Sequence, residues 1–327
     1  MQESSLPRSM IKDPRSIYIV GPTASGKSAL SLELAEMLDA EIVCADSQTV
    51  RKGMNIGTAK PSAEDRADVP HHMLDLINPY DRYDLALFLE QSRKVLDDIR
   101  RRGKRAIIVG GTGMYSDALY YNFQLPKTTH FNNIQNIQSV AGSDPVAGSD
   151  PATTGADFTL YDHLDRLSLD SLSVGELQEL IRQYNLSLPE NARNSRHLVN
   201  TLKRRGRTGT KGKPDPGSLI VGIDPGREAL IERINVRVDI MFGAGFLDEV
   251  RDVIKTYGEP PREFDAIGYR IGYRHIKGEI TEEKAKELFK IADRQYAKRQ
   301  MSWYKRNPDI QWFSSPDTAK TFILGVL

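Results

Sequence analysis

The stretch Gly21-Pro22-Thr23-Ala24-Ser25-Gly26-Lys27-Ser28 constrains the fold of this chain more than any other. It fits the phosphate-loop pattern G-x-x-x-x-G-K-[ST] at every fixed position. The apolar run Ile17-Tyr18-Ile19-Val20 precedes it at strand length, and Leu30, Leu34 and Leu38, with Ala35 beside them, follow at helical spacing. A strand, a glycine turn and a helix in that order are the setting in which the pattern binds an anion. Backbone N–H groups wrap the phosphate at the positive end of the helix, Lys27 reaches its oxygens, and the Ser28 hydroxyl is placed to hold Mg²⁺. The motif leaves open which phosphate is bound and whether the phosphoryl group is what moves.

The 327 residues are 39% hydrophobic and 27% charged, which suits one large α/β domain plus something smaller. A single cysteine, Cys44, rules out a disulfide framework and fits a reducing cytosol. No apolar stretch approaches the roughly 20 residues of a membrane span, and the first residues lack the apolar core of a secretory signal. The expectation is a cytoplasmic monomer with no membrane contact. A net charge of +1 announces no nucleic acid globally. Residues 100–105, 203–213 and 294–306 are locally basic, and each alone reads first as a solvated face.

Taken in order, residues 41–46 read as a second strand ending in Asp46, at the sheet edge beside the phosphate loop. A carboxylate there can hold Mg²⁺ or act as a general base toward a nucleophile. Residues 47–61 carry Gly53, Gly57 and Pro61 and read as a loop. His71 and His72 lead into an expected strand over 73–77; adjacent histidines on an extended segment point opposite ways, so they read as structural or substrate-contacting rather than metal-binding. Residues 84–102 form an amphipathic helix, and 105–109 a buried strand closed by Gly110-Gly111-Thr112-Gly113. Most P-loop hydrolases end that strand in an acidic residue for Mg²⁺. Here the turn offers N–H groups and a hydroxyl to a second anionic group.

Several stretches together resemble the tRNA dimethylallyltransferase, or tRNA isopentenyltransferase, family. They are GPTASGKS, Ala45-Asp46-Ser47, GMNIGTAKP from Gly53, PHH from Pro70, VGGTG from Val109, AIGYR from Ala266 and RQYAKRQMSWYKR from Arg294. The resemblance covers about residues 16–123 and 219–313. It implies an α/β, P-loop NTPase-like parallel sheet flanked by helices, with an inserted small helical domain. It also implies transfer of a dimethylallyl group from its diphosphate to N6 of the adenosine that follows the tRNA anticodon. The phosphate loop, residues Gly21 to Ser28, then grips the diphosphate leaving group, with Mg²⁺ on Ser28 and with Asp46, Thr112 and Arg237 as catalytic residues. Contacts to the anticodon stem-loop fall on Ser47, Gln48, Thr49, Arg196, His197, Gly268, Tyr269, Arg270, Arg294 and Lys298. The residues alone agree: allylic transfer needs a departing diphosphate neutralised and the amine proton accepted, and Asp46 stands where an acceptor is wanted.

The organisation expected is a flexible 1–14, a catalytic core over 15–124 and 218–327, and an inserted helical tRNA-binding domain over 125–217. Within the insertion, 128–157 reads as a mobile loop, and 173–184 and 196–205 as helices, the first opened by a Ser173/Glu176 capping box. Where the family carries arginines in an N-x-R-R-x-x-R-x-L helix, this chain keeps Asn194, Arg196 and Leu202 but has His197 and Asn200. Thr49 and Arg51 replace the family's glutamine and tyrosine, and Arg51 reads as an extra phosphate contact. The core resumes with a strand over 219–223, helices over 227–241 and 281–303, and an edge strand over 310–313. Lys290, Arg294 and Lys298 form an i, i+4, i+8 cation ladder that calls for facing anions. The other readings are a prenyltransferase or kinase acting on a free adenine nucleotide or other small molecule, and a catalytically weak RNA-binding protein.

Overall fold

A computed structural model describes residues 15–125, 168–204, 209–214, 216–262 and 264–327. The 1–14 segment, the 128–157 loop and residues 205–208 of the basic connector lie outside the described residues. The chain separates into two compact units, Met1–Asn122 with Lys211–Leu327, and Phe123–Thr210.

The larger unit is built on strands β1 (Ser16–Val20), β2 (Glu41–Cys44), β3 (His71–His72), β4 (Ala106–Val109), β5 (Ser218–Ile223) and β6 (Gln311–Phe313). They form one sheet in the order β3-β2-β4-β1-β5-β6, and every neighbouring pair is parallel. Strands β1, β2, β4 and β5 are buried along their whole length, as expected where helices flank both sides. From β1 the chain steps out to β2 and β3, returns to β4 beside β1, and crosses to β5 on the other side. That reversal makes the C-terminal end of β1 the place where such sheets bind ligands.

The helices are α1 (Lys27–Leu38), α2 (Ala63–Asp68), α3 (Leu85–Arg101), α4 (Gly113–Tyr120), α5 (Val174–Gln183), α6 (Ser195–Lys203), α7 (Arg227–Gly243), α8 (Phe246–Tyr257), α9 (Ile267–Ile276), α10 (Glu282–Tyr304) and α11 (Pro316–Val326). Helices α1 and α11 pack together over the sheet, as do α3 and α4. Helices α7 to α10 close a second core around Phe246, Tyr269 and Phe289, into which Met54 of the long loop is inserted. In the smaller unit α5 and α6 bury Leu177, Ile181, Leu198 and Leu202 against one another, and Ser173 and Glu176 form the capping box at the start of α5.

Two expectations change, on the strand over 73–77 and on the helices, and two are made specific. The strand expected over 73–77 is instead His71–His72, because Met73 and Asp75 take left-handed backbone angles (φ 65° and 54°) that break an extended run. His72 Nε2 meets Glu41 Oε2 at 2.7 Å, and Arg102 grips the same carboxylate, whose hydrogen bonds from Arg102 pull it down to about 2; this pair of histidines is structural. The basic run at 100–105 is largely neutralised, with Arg100 on Asp97, Arg101 on Asp98, Arg102 on Glu41 and Lys104 on Asp39. Helices α2, α4, α8, α9 and α11 stand outside the elements expected from sequence, and Ile267 to Arg270, expected as a turn, open α9; α2 is a single short piece opened by Ser62, whose apolar content is too small to signal.

Candidate active site

Three loops meet at the C-terminal edge of the sheet because the strands that launch them are in register: Ile19 pairs with Val109, and Cys44 with the same Val109. The phosphate loop leaves β1, Asp46 follows β2, and Gly110 to Gly113 follow β4. The last two loops touch. Asp46 Oδ2 accepts the N–H of Gly111 at 3.3 Å and Oδ1 that of Gln48 at 2.8 Å. Thr112 Oγ1 accepts the N–H of Ser47 at 3.0 Å. The glycines are required by closeness: a Cβ on Gly110 would lie 2.0 Å from the Ala45 carbonyl oxygen, and one on Gly111 would lie 3.1 Å from Asp46 Oδ2.

Helix α10 locks this arrangement. Gln300, only 4% exposed, accepts the N–H of Thr23 at 2.8 Å and donates to the Gly111 carbonyl at 2.7 Å, so one side chain ties the phosphate loop to the glycine turn. Tyr304 donates to the Gly110 carbonyl at 3.1 Å, and Tyr296 to that of Gly111 at 3.4 Å. Trp303 packs on Gly113 and donates to Asp117 of α4 at 2.6 Å. Tyr296 and Gln300 stand in the stretch from Arg294 that carries the family resemblance, but neither is assigned a role in the site from sequence. Their spacing from Tyr304, i, i+4 and i+8 on one helix, is the signal that was there to be read.

Cations line the phosphate loop. Arg237 of α7 donates to Thr23 Oγ1, and Arg233, one turn earlier, to the Ser25 carbonyl at 3.4 Å. Lys27 Nζ donates to the Pro22 carbonyl at 3.0 Å; burial, and next the charge of Arg237, push its pKa down to about 8, while Asp46 opposes them. Arg237 Nε and Ser25 Oγ are each buried without a partner among the described residues, and an unpaired buried cation donor such as Arg237 Nε is a group that a bound anion satisfies. Asp293 of α10 carries a similarly orphaned Oδ2, and burial raises its pKa against the pull of Arg237.

The donor set fits Mg²⁺ in one way. Ser28 is exposed at the start of α1, and among the described residues no three His, Cys, Asp or Glu side chains cluster to hold a metal. Phosphate oxygens and water would supply the remaining ligands, which is how Mg²⁺ is commonly held.

The residues expected to touch RNA divide. Ser47 and Gln48 lie beside Asp46, whereas Thr49 is buried. Arg270, Lys298, Arg196 and His197 are exposed, the last two on the smaller unit, and Arg294 is half-buried with Nε on the Lys290 carbonyl. Tyr269 is 3% exposed and donates to Glu249, and a Cβ on Gly268 would strike the Phe289 ring at 2.4 Å. Both therefore pack on the α7–α10 core, and of the three residues expected to contact tRNA in that motif only Arg270 is exposed. The cation ladder is also shorter than expected, since Lys290 pairs with Asp239 of α7 at 2.7 Å. Arg51 is no phosphate ligand: its guanidinium is buried, donates to the Pro79 and Asp81 carbonyls, pairs with Asp265 at 3.0 Å and faces the Phe264 ring.

A parallel sheet with a phosphate loop at its switch point, a carboxylate beside it and a glycine turn where hydrolases place an acid defines a P-loop protein equipped for group transfer. The family model described as IPP transferase matches residues 49–307. The chain is 34% identical over 304 residues to a tRNA dimethylallyltransferase of Staphylococcus haemolyticus, covering 93% of this chain and 88% of that one. It is also 34% identical over 307 residues to that of Carboxydothermus hydrogenoformans, covering 91% of each. Among solved structures it resembles the tRNA isopentenylpyrophosphate transferase of Bacillus halodurans (TM-score 0.64, 27% identity, 96% of each chain). That of Staphylococcus epidermidis is similar (TM-score 0.63, 31% identity, 95% of this chain and 98% of that one). The chain belongs to the tRNA dimethylallyltransferase family.

Proposed function

We propose that this protein transfers a dimethylallyl group from dimethylallyl diphosphate to N6 of the adenosine 3′-adjacent to the tRNA anticodon, position 37, and releases diphosphate. The observation that carries the reading is Asp46, fixed by the Gly111 and Gln48 N–H groups and close enough to Lys27 for their charges to interact. The phosphate loop, Lys27 and Arg237 bind the diphosphate. As the bond from N6 to the allylic carbon forms, the carbon–oxygen bond breaks and its electron pair leaves on the diphosphate. Asp46 takes the N6 proton, and Thr112, on Ser47, orients the edge where the base arrives. Ser28 would hold Mg²⁺, which would supply charge neutralisation for the leaving group. The adenine must leave its stack to reach this depth, and the exposed Arg196 and His197 of the smaller unit, with Arg270, Arg294 and Lys298, supply backbone contacts. No helix among the described residues is long and apolar enough to cross a membrane, and the reading places the protein in the cytoplasm as a monomer.

The test supplies radiolabelled dimethylallyl diphosphate and Mg²⁺ with either tRNA or AMP as acceptor. Label on tRNA alone supports the reading. Label on AMP, or phosphoryl transfer from ATP to a small acceptor, would replace it.

A further inference from the structure

Glu249, in the first turn of α8, accepts four hydrogen bonds. Its Oε2 takes the N–H groups of Asn55 at 2.7 Å and Ile56 at 2.8 Å; its Oε1 takes that of Gly57 at 3.0 Å and the Tyr269 hydroxyl. Three successive backbone amides converging on one carboxylate make an anion nest whose anion is built into the protein. The loop cannot shift away cheaply. Gly57 presses so closely on the Phe246 and Tyr269 rings that a Cβ there would lie 2.5 Å and 2.6 Å from them. The loop is held at its other end by Lys60, which reaches Asp75 at 2.6 Å and the Arg51 carbonyl.

The clamped segment is one wall of an open cavity of about 970 Å³. Asn55, Ile56 and Ala59 stand on that wall, and Arg237, Ile240 and Met241 of α7 on the other. Arg237 is also the side chain that reaches Thr23 of the phosphate loop. The distance between loop and arginine is therefore set, in part, by a carboxylate that itself touches neither the phosphate loop nor Asp46. We propose that Glu249 is a positioning residue for the allylic donor: by seating the amides of residues 55–57 it fixes the wall facing Arg237 and so sets the affinity for dimethylallyl diphosphate. The inference rests on the function proposed above.

Glu249→Gln tests it. The side-chain NH₂ of glutamine must face one of the N–H donors, so the nest loses at least one acceptor and leaves an amide unsatisfied, an effect on the order of tenfold. The amides of 55–57 should exchange with solvent roughly tenfold faster or more in peptide-level hydrogen exchange, while strands β1 and β4 keep their protection. KM for dimethylallyl diphosphate should rise on the order of tenfold, with kcat and KM for tRNA changed much less. Tyr269→Phe removes the hydroxyl that steadies the Glu249 carboxylate, so the three amides are held less firmly and both effects should be smaller but in the same direction; it serves if Glu249→Gln does not fold. Unaltered exchange at 55–57 in either variant overturns the clamp. Faster exchange with unchanged KM for the donor overturns the positioning role. A wild-type protein that transfers no dimethylallyl group contradicts the function proposed above, while the exchange measurement still reads the clamp.

Discussion

The side-chain amide of Gln300 spans the gap between the phosphate loop and the glycine turn after β4: its oxygen takes the Thr23 N–H at 2.8 Å and its nitrogen reaches the Gly111 carbonyl at 2.7 Å. Both bonds are buried, and they join residues far apart in sequence, so the relative placement of phosphate loop and Asp46 is set from helix α10. Gln300→Glu keeps an acceptor for Thr23 but turns a carboxylate oxygen toward the Gly111 carbonyl and adds negative charge beside the phosphate loop, where diphosphate is proposed to bind. The expected outcome is a fall in kcat/KM for dimethylallyl diphosphate on the order of 10²-fold, the size of losing a preorganised contact. Steady-state kinetics with the donor varied check this, and an unchanged value would remove Gln300 from the site.

Lys27 gives the site a pH dependence of definite sign. Its pKa is lowered to about 8, chiefly by burial and then by Arg237, so the charged form that binds diphosphate is present below that pH and lost above it. Donor kcat/KM for the wild type should therefore decline as pH rises through about 8. Arg237→Lys, which shortens and reshapes the neighbouring cation, should move that limb, and Lys27→Ala should abolish it while lowering kcat/KM by on the order of 10²-fold or more. A pH profile with no basic limb near 8 would mean that Lys27 is charged throughout or is not used.

Asp46→Asn separates proton acceptance from metal binding. Asparagine keeps an oxygen for the Gln48 N–H, the shorter contact, and places its NH₂ toward the Gly111 N–H, the longer one. We expect kcat to fall by roughly 10² to 10⁴ with donor affinity changed little. Preserved turnover with an altered Mg²⁺ requirement would make Asp46 a metal residue instead.

The exposed cations bear on RNA affinity. Phosphate contacts fix position without reading bases, so log Kd for tRNA should change steeply with log salt, by roughly 0.7 to 0.9 per contact. Lys298→Ala and Arg196→Ala should each flatten the slope by about one contact, whereas Lys290→Ala should not, because Lys290 is already paired with Asp239. Filter binding across a salt series distinguishes these; equal slopes in all three variants would put the tRNA on another surface.

Much of this site was legible in the sequence because its parts are local. The phosphate loop, the carboxylate after β2 and the glycine turn after β4 each occupy a few consecutive residues, and the parallel-sheet rule brings them to one edge. What was not legible depends on contacts between distant segments. Gln300 and Glu249 act on loops more than 180 residues away; the spacing of Tyr296, Gln300 and Tyr304 marks one helix face but not the loops it meets, and nothing around Glu249 announces its partners. Tyr269, expected from the motif resemblance to contact tRNA, is buried by packing against Phe246 and Phe289, a long-range contact that the motif does not encode. Lys290 misled similarly, since it looks free until its partner on another helix is seen.

The most direct measurement is nucleoside analysis by mass spectrometry of an unmodified tRNA incubated with the protein, Mg²⁺ and dimethylallyl diphosphate. The account predicts that one adenosine, that 3′-adjacent to the anticodon, gains one dimethylallyl group on N6 with the wild type, and that the gain falls by roughly 10² or more with Asp46→Asn. Modification at other adenosines, or none under conditions where the protein binds both substrates, would contradict it.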